Sequence, residues 1–126
     1  MIKGIGIDII EIDRIQRVIE KHGGHFYERI FTRREIAYCR AKKKNAVLHF
    51  AGRFTAKEAA VKALGTGVAG GIGWTDIEIV NESSGKPVMK FHGKAEDAYR
   101  RMGGTCIHVS ISHTKGCAAA QVIIEG

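Results

Sequence analysis

The chain has 126 residues, of which 44% are hydrophobic and 26% are charged. This composition excludes a disordered chain and predicts one globular domain over residues 1–126. No apolar run is long enough to span a bilayer, and no signal-peptide pattern opens the sequence. Three widely spaced cysteines without a CxxC pair argue against a disulfide framework or a zinc site. We therefore expect a cytoplasmic protein without a membrane partner.

The net charge of +7 comes from the first half of the chain. Residues 1–62 hold 14 Lys or Arg against 7 Asp or Glu, whereas residues 63–126 hold 6 basic and 6 acidic residues. Such an excess indicates an acidic partner, which can be a nucleic acid, an anionic cofactor or an acidic protein.

Residues 2–10 alternate between isoleucines and small or acidic residues, which predicts a strand. The isoleucines share one face, and the opposite face carries Gly4, Gly6 and Asp8. Glycines in a strand allow another backbone or a ligand to come close. A helix is predicted over residues 11–22, and its outer side carries three basic residues: Arg14, Arg17 and Lys21.

Thr32 and Glu35 form a capping box, which predicts a helix through Ala41. A basic stretch follows at 42–45. The next predicted helix contains Phe54–Leu64, with Gly65 at its C-cap.

Glu58 and Lys62 share a face of that helix, one turn apart. The following Gly65-Thr66-Gly67 leaves backbone N–H groups free to face an anion. Either the acid and the base form an ordinary surface ion pair, or they belong to a metal-bridged phosphate site.

The second half predicts a glycine-rich loop over 68–73 and a hairpin of strands 74–80 and 87–92. A short helix over 94–102 and a second hairpin, 105–112 with 117–125, follow. The whole predicts a compact α+β domain with a mostly antiparallel sheet packed against helices.

Two further side chains are candidates for chemistry. Asp8 ends an apolar strand, and a lone buried charge is costly, so it either caps the following helix or binds a metal. Together with Glu58 and waters it would make a Mg²⁺ site. His108 lies on the polar face of its strand, where it either binds a phosphate or acts as a base, or is solvated or bonded to a neighbouring residue. The other histidines lack metal-like spacing, and most of them are interpreted as surface residues.

The segments Gly4–Ile9 and Phe54–Gly65 closely resemble the two signatures of the 4'-phosphopantetheinyl transferases. The length and the closing Ile107–Thr114 resemble the short bacterial branch of that family, and the likeness covers nearly the whole chain. It implies the family's α+β fold and transfer of phosphopantetheine from coenzyme A to a serine of an acyl carrier protein, with release of adenosine 3',5'-bisphosphate. It also implies that Mg²⁺ is held by Asp8 and Glu58.

The resemblance implies further roles for individual residues. Lys62 would contact the coenzyme's phosphates, and His108 the 3'-phosphate and ribose, with Arg53 as a second candidate for that phosphate. The nucleotide pocket would be lined by Gly65, Thr66 and Gly67.

The family's partners follow from the same resemblance. Arg14 would grip a helix of the acidic carrier protein, with Arg17 and Lys21 adding positive field. The family's short members are homotrimers with active sites between subunits.

Two questions stay open at the level of sequence. Longer relatives have another acid two residues after Asp8, where this chain has Ile10, so the general base is Asp8, Glu58 or a metal-bound water; we favour the water. The alternative function is a small basic RNA-binding module with a structural acid pair. No aromatic residues interleave with the basic ones as a stacking platform requires, so we expect no nucleic-acid partner.

Overall fold

The computed structural model describes residues 1–66 and 70–126. Gly67 and the first two residues of the predicted loop lie outside the described residues. Within the described ranges the chain forms five α-helices and five strands in this order: β1 (Ile2–Glu11), α1 (Ile12–His22), α2 (Gly24–Ile30), α3 (Arg33–Arg40), α4 (Ala46–Leu64), β2 (Ile77–Asn81), β3 (Pro87–Phe91), α5 (Gly93–Arg101), β4 (Cys106–His113) and β5 (Cys117–Glu125).

The strands form two antiparallel sheets, one of three strands in the order β1-β5-β4 and one of β2 and β3. Both predicted hairpins are present, and the predicted α+β class is confirmed. The predicted strand at 74–80 is wrong at its start, because Trp74–Asp76 is a 3-10 turn. The Asp76 carboxylate accepts the Gly73 N–H at 3.0 Å and holds that turn.

The main core lies between α4, β5, α5 and the β2–β3 hairpin. Two smaller clusters pack α1, α2 and α3 against the first half of α4. Within the described ranges, no helix combines the length and the apolarity that crossing a bilayer requires.

The backbone of β1 lies directly against the backbone of α4. A Cβ atom added to Gly6 would collide with the Ala59 carbonyl oxygen, and one added to Gly4 would collide with the Ala63 carbonyl oxygen. Glycine is therefore required at both positions, and Asp8, two residues further along the same face, points toward α4.

The isoleucine face of β1 is directed away from α4. Ile5, Ile7 and Ile9 are 58%, 65% and 68% exposed, although each is large and apolar. The alternation in the sequence is thus reproduced, but the face covered within the chain is the glycine face.

A buried ion pair fixes α4 on its other side. The Lys57 Nζ donates to Glu35 Oε1 at 2.7 Å, and both side chains are fully buried. Lys57 also donates to the Ile30 and Trp74 carbonyl oxygens. The second oxygen of Glu35 accepts the Ile79 N–H, while the first also accepts the Thr32 N–H of the predicted capping box. These bonds join α2, α3, α4, the 3-10 turn and β2.

We expect Gly6→Ala to lower the free energy of unfolding by about 1–3 kcal/mol, because β1 must move away from α4 to admit a methyl group. Urea unfolding measures the effect. The matched control is Gly24→Ala in α2, where an added Cβ meets no atom within 4 Å. That control should change stability by less than about 0.5 kcal/mol. Equal effects of the two variants would contradict the close approach.

Candidate active site

Asp8 is held in place by both of its carboxylate oxygens. The buried Thr55 hydroxyl donates to Oδ2 at 2.6 Å, and Lys62 Nζ donates to Oδ1 at 3.1 Å. The same ammonium donates to the Ile7 carbonyl oxygen at 2.9 Å. The alternative that Asp8 caps α1 is wrong, because the N-cap of that helix is Glu11.

Glu58 faces Asp8 across the junction of β1 and α4. Burial raises the pKa of Glu58 above its ordinary value, and the negative charge of Asp8 raises it further, while Lys62 and Arg14 act in the opposite direction. Within residues 1–66 and 70–126, Lys62 pairs with Asp8 and has no ion pair with Glu58. The ordinary surface Glu58–Lys62 pair is therefore wrong.

A cavity of about 680 Å³ opens beside these side chains. Asp8, Glu58 and Lys62 line one part, and basic residues of α1 and α2 line another. Arg14, which was already a candidate from the sequence, lines the cavity. His22 and His25 also line it, and both are exposed. The cavity thus combines a carboxylate pair with a basic wall, which suits a divalent cation and an anionic ligand.

The loop after α4 begins as predicted. Gly65 adopts a left-handed conformation, with φ of 74°, and caps the helix. Its N–H donates to the Val61 and Lys62 carbonyl oxygens, so the expectation of a free amide at Gly65 is wrong. Thr66 is exposed next to it, and Gly67 is outside the described residues.

Arg53 lies in a second, smaller cavity. Its buried guanidinium stands 4.1 Å from the Tyr38 ring centroid and donates to the Asn81 side-chain oxygen. Its Nε is buried, with no hydrogen-bond partner among the described residues. Within one chain, the structure does not bring Arg53 into the cavity of Asp8 and Glu58.

His49 and His113 share the cavity of Arg53. The rings of His49 and His113 meet at 5.1 Å between centroids. Burial lowers the pKa of His49, and so do the neighbouring His113, Lys42 and Arg53. His49 and Arg53 are one helical turn apart. That spacing is the only feature of the sequence from which their proximity could have been predicted.

His108 is also distant from the carboxylate pair. It lies on the outer face of the three-stranded sheet, where its Nε2 contacts Glu125. The basic residues of α1 lie where the sequence placed them: Arg14, Arg17 and Lys21 are all exposed, and Arg14 also lines the large cavity.

Comparisons with known proteins show the family of this chain. The sequence profile of the 4'-phosphopantetheinyl transferase superfamily matches residues 4–110. Holo-[acyl-carrier-protein] synthases of Koribacter versatilis and Maridesulfovibrio salexigens are each 51% identical over 99% of this chain and 99% of their own length. The chain therefore belongs to the 4'-phosphopantetheinyl transferase superfamily, which confirms the resemblance found in the sequence.

Solved structures show the same fold. The holo-[acyl-carrier-protein] synthase of Neisseria meningitidis superposes with a TM-score of 0.90 at 33% identity, covering 100% of both chains. The enzyme of Bacillus anthracis, crystallised with CoA (3',5'-ADP), superposes with a TM-score of 0.80 at 40% identity, covering 98% of this chain and 96% of its own.

We expect Glu58→Gln to stabilise the fold at pH 7 in the presence of a chelator. The raised pKa of Glu58 means that its ionised form is disfavoured in the folded state, so stability is lost as the pH rises through that pKa. The amide removes this cost. Below about pH 4 the carboxyl is protonated in both states, so the two melting temperatures should converge. Thermal unfolding from pH 4 to 8 measures the difference, and a lower melting temperature for the variant at pH 7 would contradict the shift.

Proposed function

We propose that this chain transfers the 4'-phosphopantetheine group of coenzyme A to a serine hydroxyl of an apo acyl carrier protein, releasing adenosine 3',5'-bisphosphate. The observation that carries the proposal is the placement of Asp8, Glu58 and Lys62 at one cavity. It is supported by the holo-[acyl-carrier-protein] synthases that match nearly the full length of the chain.

We propose Mg²⁺ as the cofactor, held by Asp8 and Glu58. The donor set fits a hard cation, because two carboxylates face one cavity and the charge of Asp8 disfavours ionisation of Glu58 until a cation is present. When bound, Mg²⁺ supplies charge neutralisation to the pyrophosphate. Lys62, whose side chain is 54% exposed, adds positive charge at the same place.

The remaining chemical task is to remove the serine proton. Asp8 has both oxygens engaged by Thr55 and Lys62. Glu58 lines the same cavity, so it is better placed to accept a proton. It would do so directly or through a water that it holds.

The carrier protein is proposed to dock on α1. Arg14, Arg17 and Lys21 give its exposed side a positive charge that complements an acidic helix. Arg14 also lines the large cavity. A carrier bound there would present its serine to Glu58.

A homotrimer with active sites between subunits would join two parts of the site that are separate in one chain. The carboxylate pair and Arg53 line different cavities, whereas one coenzyme A molecule carries both a pyrophosphate and a 3'-phosphate. The unpartnered Nε of Arg53 and the nearby His49 and His113 favour this cavity for the 3'-phosphate. His108 stays a candidate from the resemblance alone. The exposed isoleucine face of β1 is available for assembly.

The cytoplasm is the proposed location, because the three cysteines are free thiols. No observation favours the RNA-binding alternative once the family is known. RNA binding would also give no role to the carboxylate pair of Asp8 and Glu58.

The first test is chemical. The protein, coenzyme A, Mg²⁺ and an apo acyl carrier protein are mixed, and the carrier is weighed by mass spectrometry. We expect a gain of one phosphopantetheine group, and an unchanged mass would refute the proposal. Glu58→Gln should slow the transfer at least about a hundredfold. Glu82→Gln, an exposed acid in the β2–β3 turn, is the matched control and should leave the rate unchanged.

The second test separates the two substrates. We expect Arg14→Ala to raise the KM for the carrier about tenfold, or about 1.4 kcal/mol, while the KM for coenzyme A changes little. Arg101→Ala, an exposed arginine of α5, should change neither constant. Equal increases for both substrates would argue against docking on α1.

A further inference from the structure

Three metal-ligating side chains meet on the outer face of the three-stranded sheet. Cys106 and Glu125 are direct partners in the β4–β5 register, and His108 follows Cys106 by two residues on the same face. The Cys106 Sγ lies 3.5 Å from His108 Nε2, and that nitrogen lies 2.5 Å from Glu125 Oε1. One donor atom from each of these three side chains lies within 4.8 Å of the other two.

A single ring nitrogen faces two different groups in this cluster. The Nε2 of His108 carries either a proton or a lone pair in a neutral imidazole. If it carries the proton, it can donate to Glu125, but its lone pair is not available to the thiol. If it carries the lone pair, it can accept from Cys106 but faces the negative carboxylate. A cation between the three atoms satisfies a thiolate, an imidazole and a carboxylate together.

One of the three distances is already that of a tetrahedral zinc site. Zinc bonds of about 2.3 Å to sulfur and about 2.0–2.2 Å to nitrogen or oxygen place neighbouring ligand atoms roughly 3.3–3.7 Å apart. Cys106 and His108 already have this separation. Glu125 has to withdraw by about 1 Å from the ring, and within one chain its side chain is 47% exposed, so a rotamer change is open to it there. The fourth position is left for water.

We propose that Cys106, His108 and Glu125 bind a transition-metal ion of the zinc class. The thiolate and imidazole favour Zn²⁺, whereas Mg²⁺ prefers an all-oxygen set such as Asp8 and Glu58. The two sites therefore select different metals. The sequence argument against a zinc site considered only pairs of closely spaced cysteines. The proposed site has a single cysteine, and the β4–β5 hairpin brings Glu125 next to it from the neighbouring strand.

An occupied site would also strengthen the pairing of β4 with β5. Thr105, next to Cys106, donates its N–H to the Glu125 carbonyl oxygen. The metal would cross-link β4 and β5 at this point. Binding to the folded state alone raises the melting temperature.

The experiment uses Co²⁺ as a spectroscopic probe on the full chain, stripped with a chelator and held in excess Mg²⁺. We expect one Co²⁺ per chain with a thiolate-to-cobalt charge-transfer absorption, which Zn²⁺ displaces. Cys106→Ser should abolish that absorption. His108→Asn and Glu125→Gln should each weaken Co²⁺ binding by at least about tenfold. The matched control is Cys117→Ser, which removes the half-buried cysteine at the other end of β5 and should leave the absorption intact.

Three results would overturn the proposal: no thiolate absorption in the wild type, an absorption that survives Cys106→Ser, or one lost in Cys117→Ser. Circular dichroism confirms that each variant is folded, and the two substitutions at His108 and Glu125 provide independent tests of the site. None of these readouts depends on transfer activity, so the result stands apart from the proposed function. Zn²⁺ should also raise the melting temperature of the wild type more than that of Cys106→Ser.

Discussion

The direct contact between the backbones of β1 and α4 is the constraint on which the carboxylate site depends. Gly4 and Gly6 allow the strand to lie on the helix without an intervening Cβ. Asp8 is the next residue on that face, so it reaches Thr55 and Lys62. A side chain at either glycine would move the strand outward and separate its carboxylate from the helix that carries the second acid. Packing and chemistry are thus set by the same two positions.

Lys57 and Glu58 are neighbours in sequence with opposite environments. Consecutive helix residues are rotated by about 100° about the helix axis. Lys57 is therefore buried in an ion pair with Glu35, while Glu58 faces the large cavity. A buried ion pair adds little net stability, but removing one of its partners is costly. The three hydrogen bonds of the Lys57 ammonium therefore fix the rotation of α4 about its own axis. That rotation decides where the carboxylate of Glu58 points.

The sequence predicted most of the local structure and missed what depends on distant contacts. Among the local elements that it did not predict are α2 and the 3-10 turn at Trp74–Asp76. Helix and strand periodicity, the Thr32 capping box and Gly65 gave most element bounds. The alternating pattern showed that the isoleucines of β1 share a face. It did not show that this face is exposed, because its exposure depends on which side of the sheet α4 packs against. The pairing of His49 with His113 was missed for the same reason, since the two are 64 residues apart in the chain and adjacent only after folding.

The uncovered face and the divided site have a common origin. One helix, α4, covers only one side of the three-stranded sheet and carries both Arg53 and Glu58, which line different cavities. The other side of the sheet keeps Ile5, Ile7 and Ile9 exposed. Burying each such side chain contributes about 1.5–3 kcal/mol, which favours the proposed homotrimer. In that proposal the isoleucines would be buried between subunits, and the two cavities of Arg53 and Glu58 would serve the two phosphate-bearing ends of one coenzyme A molecule.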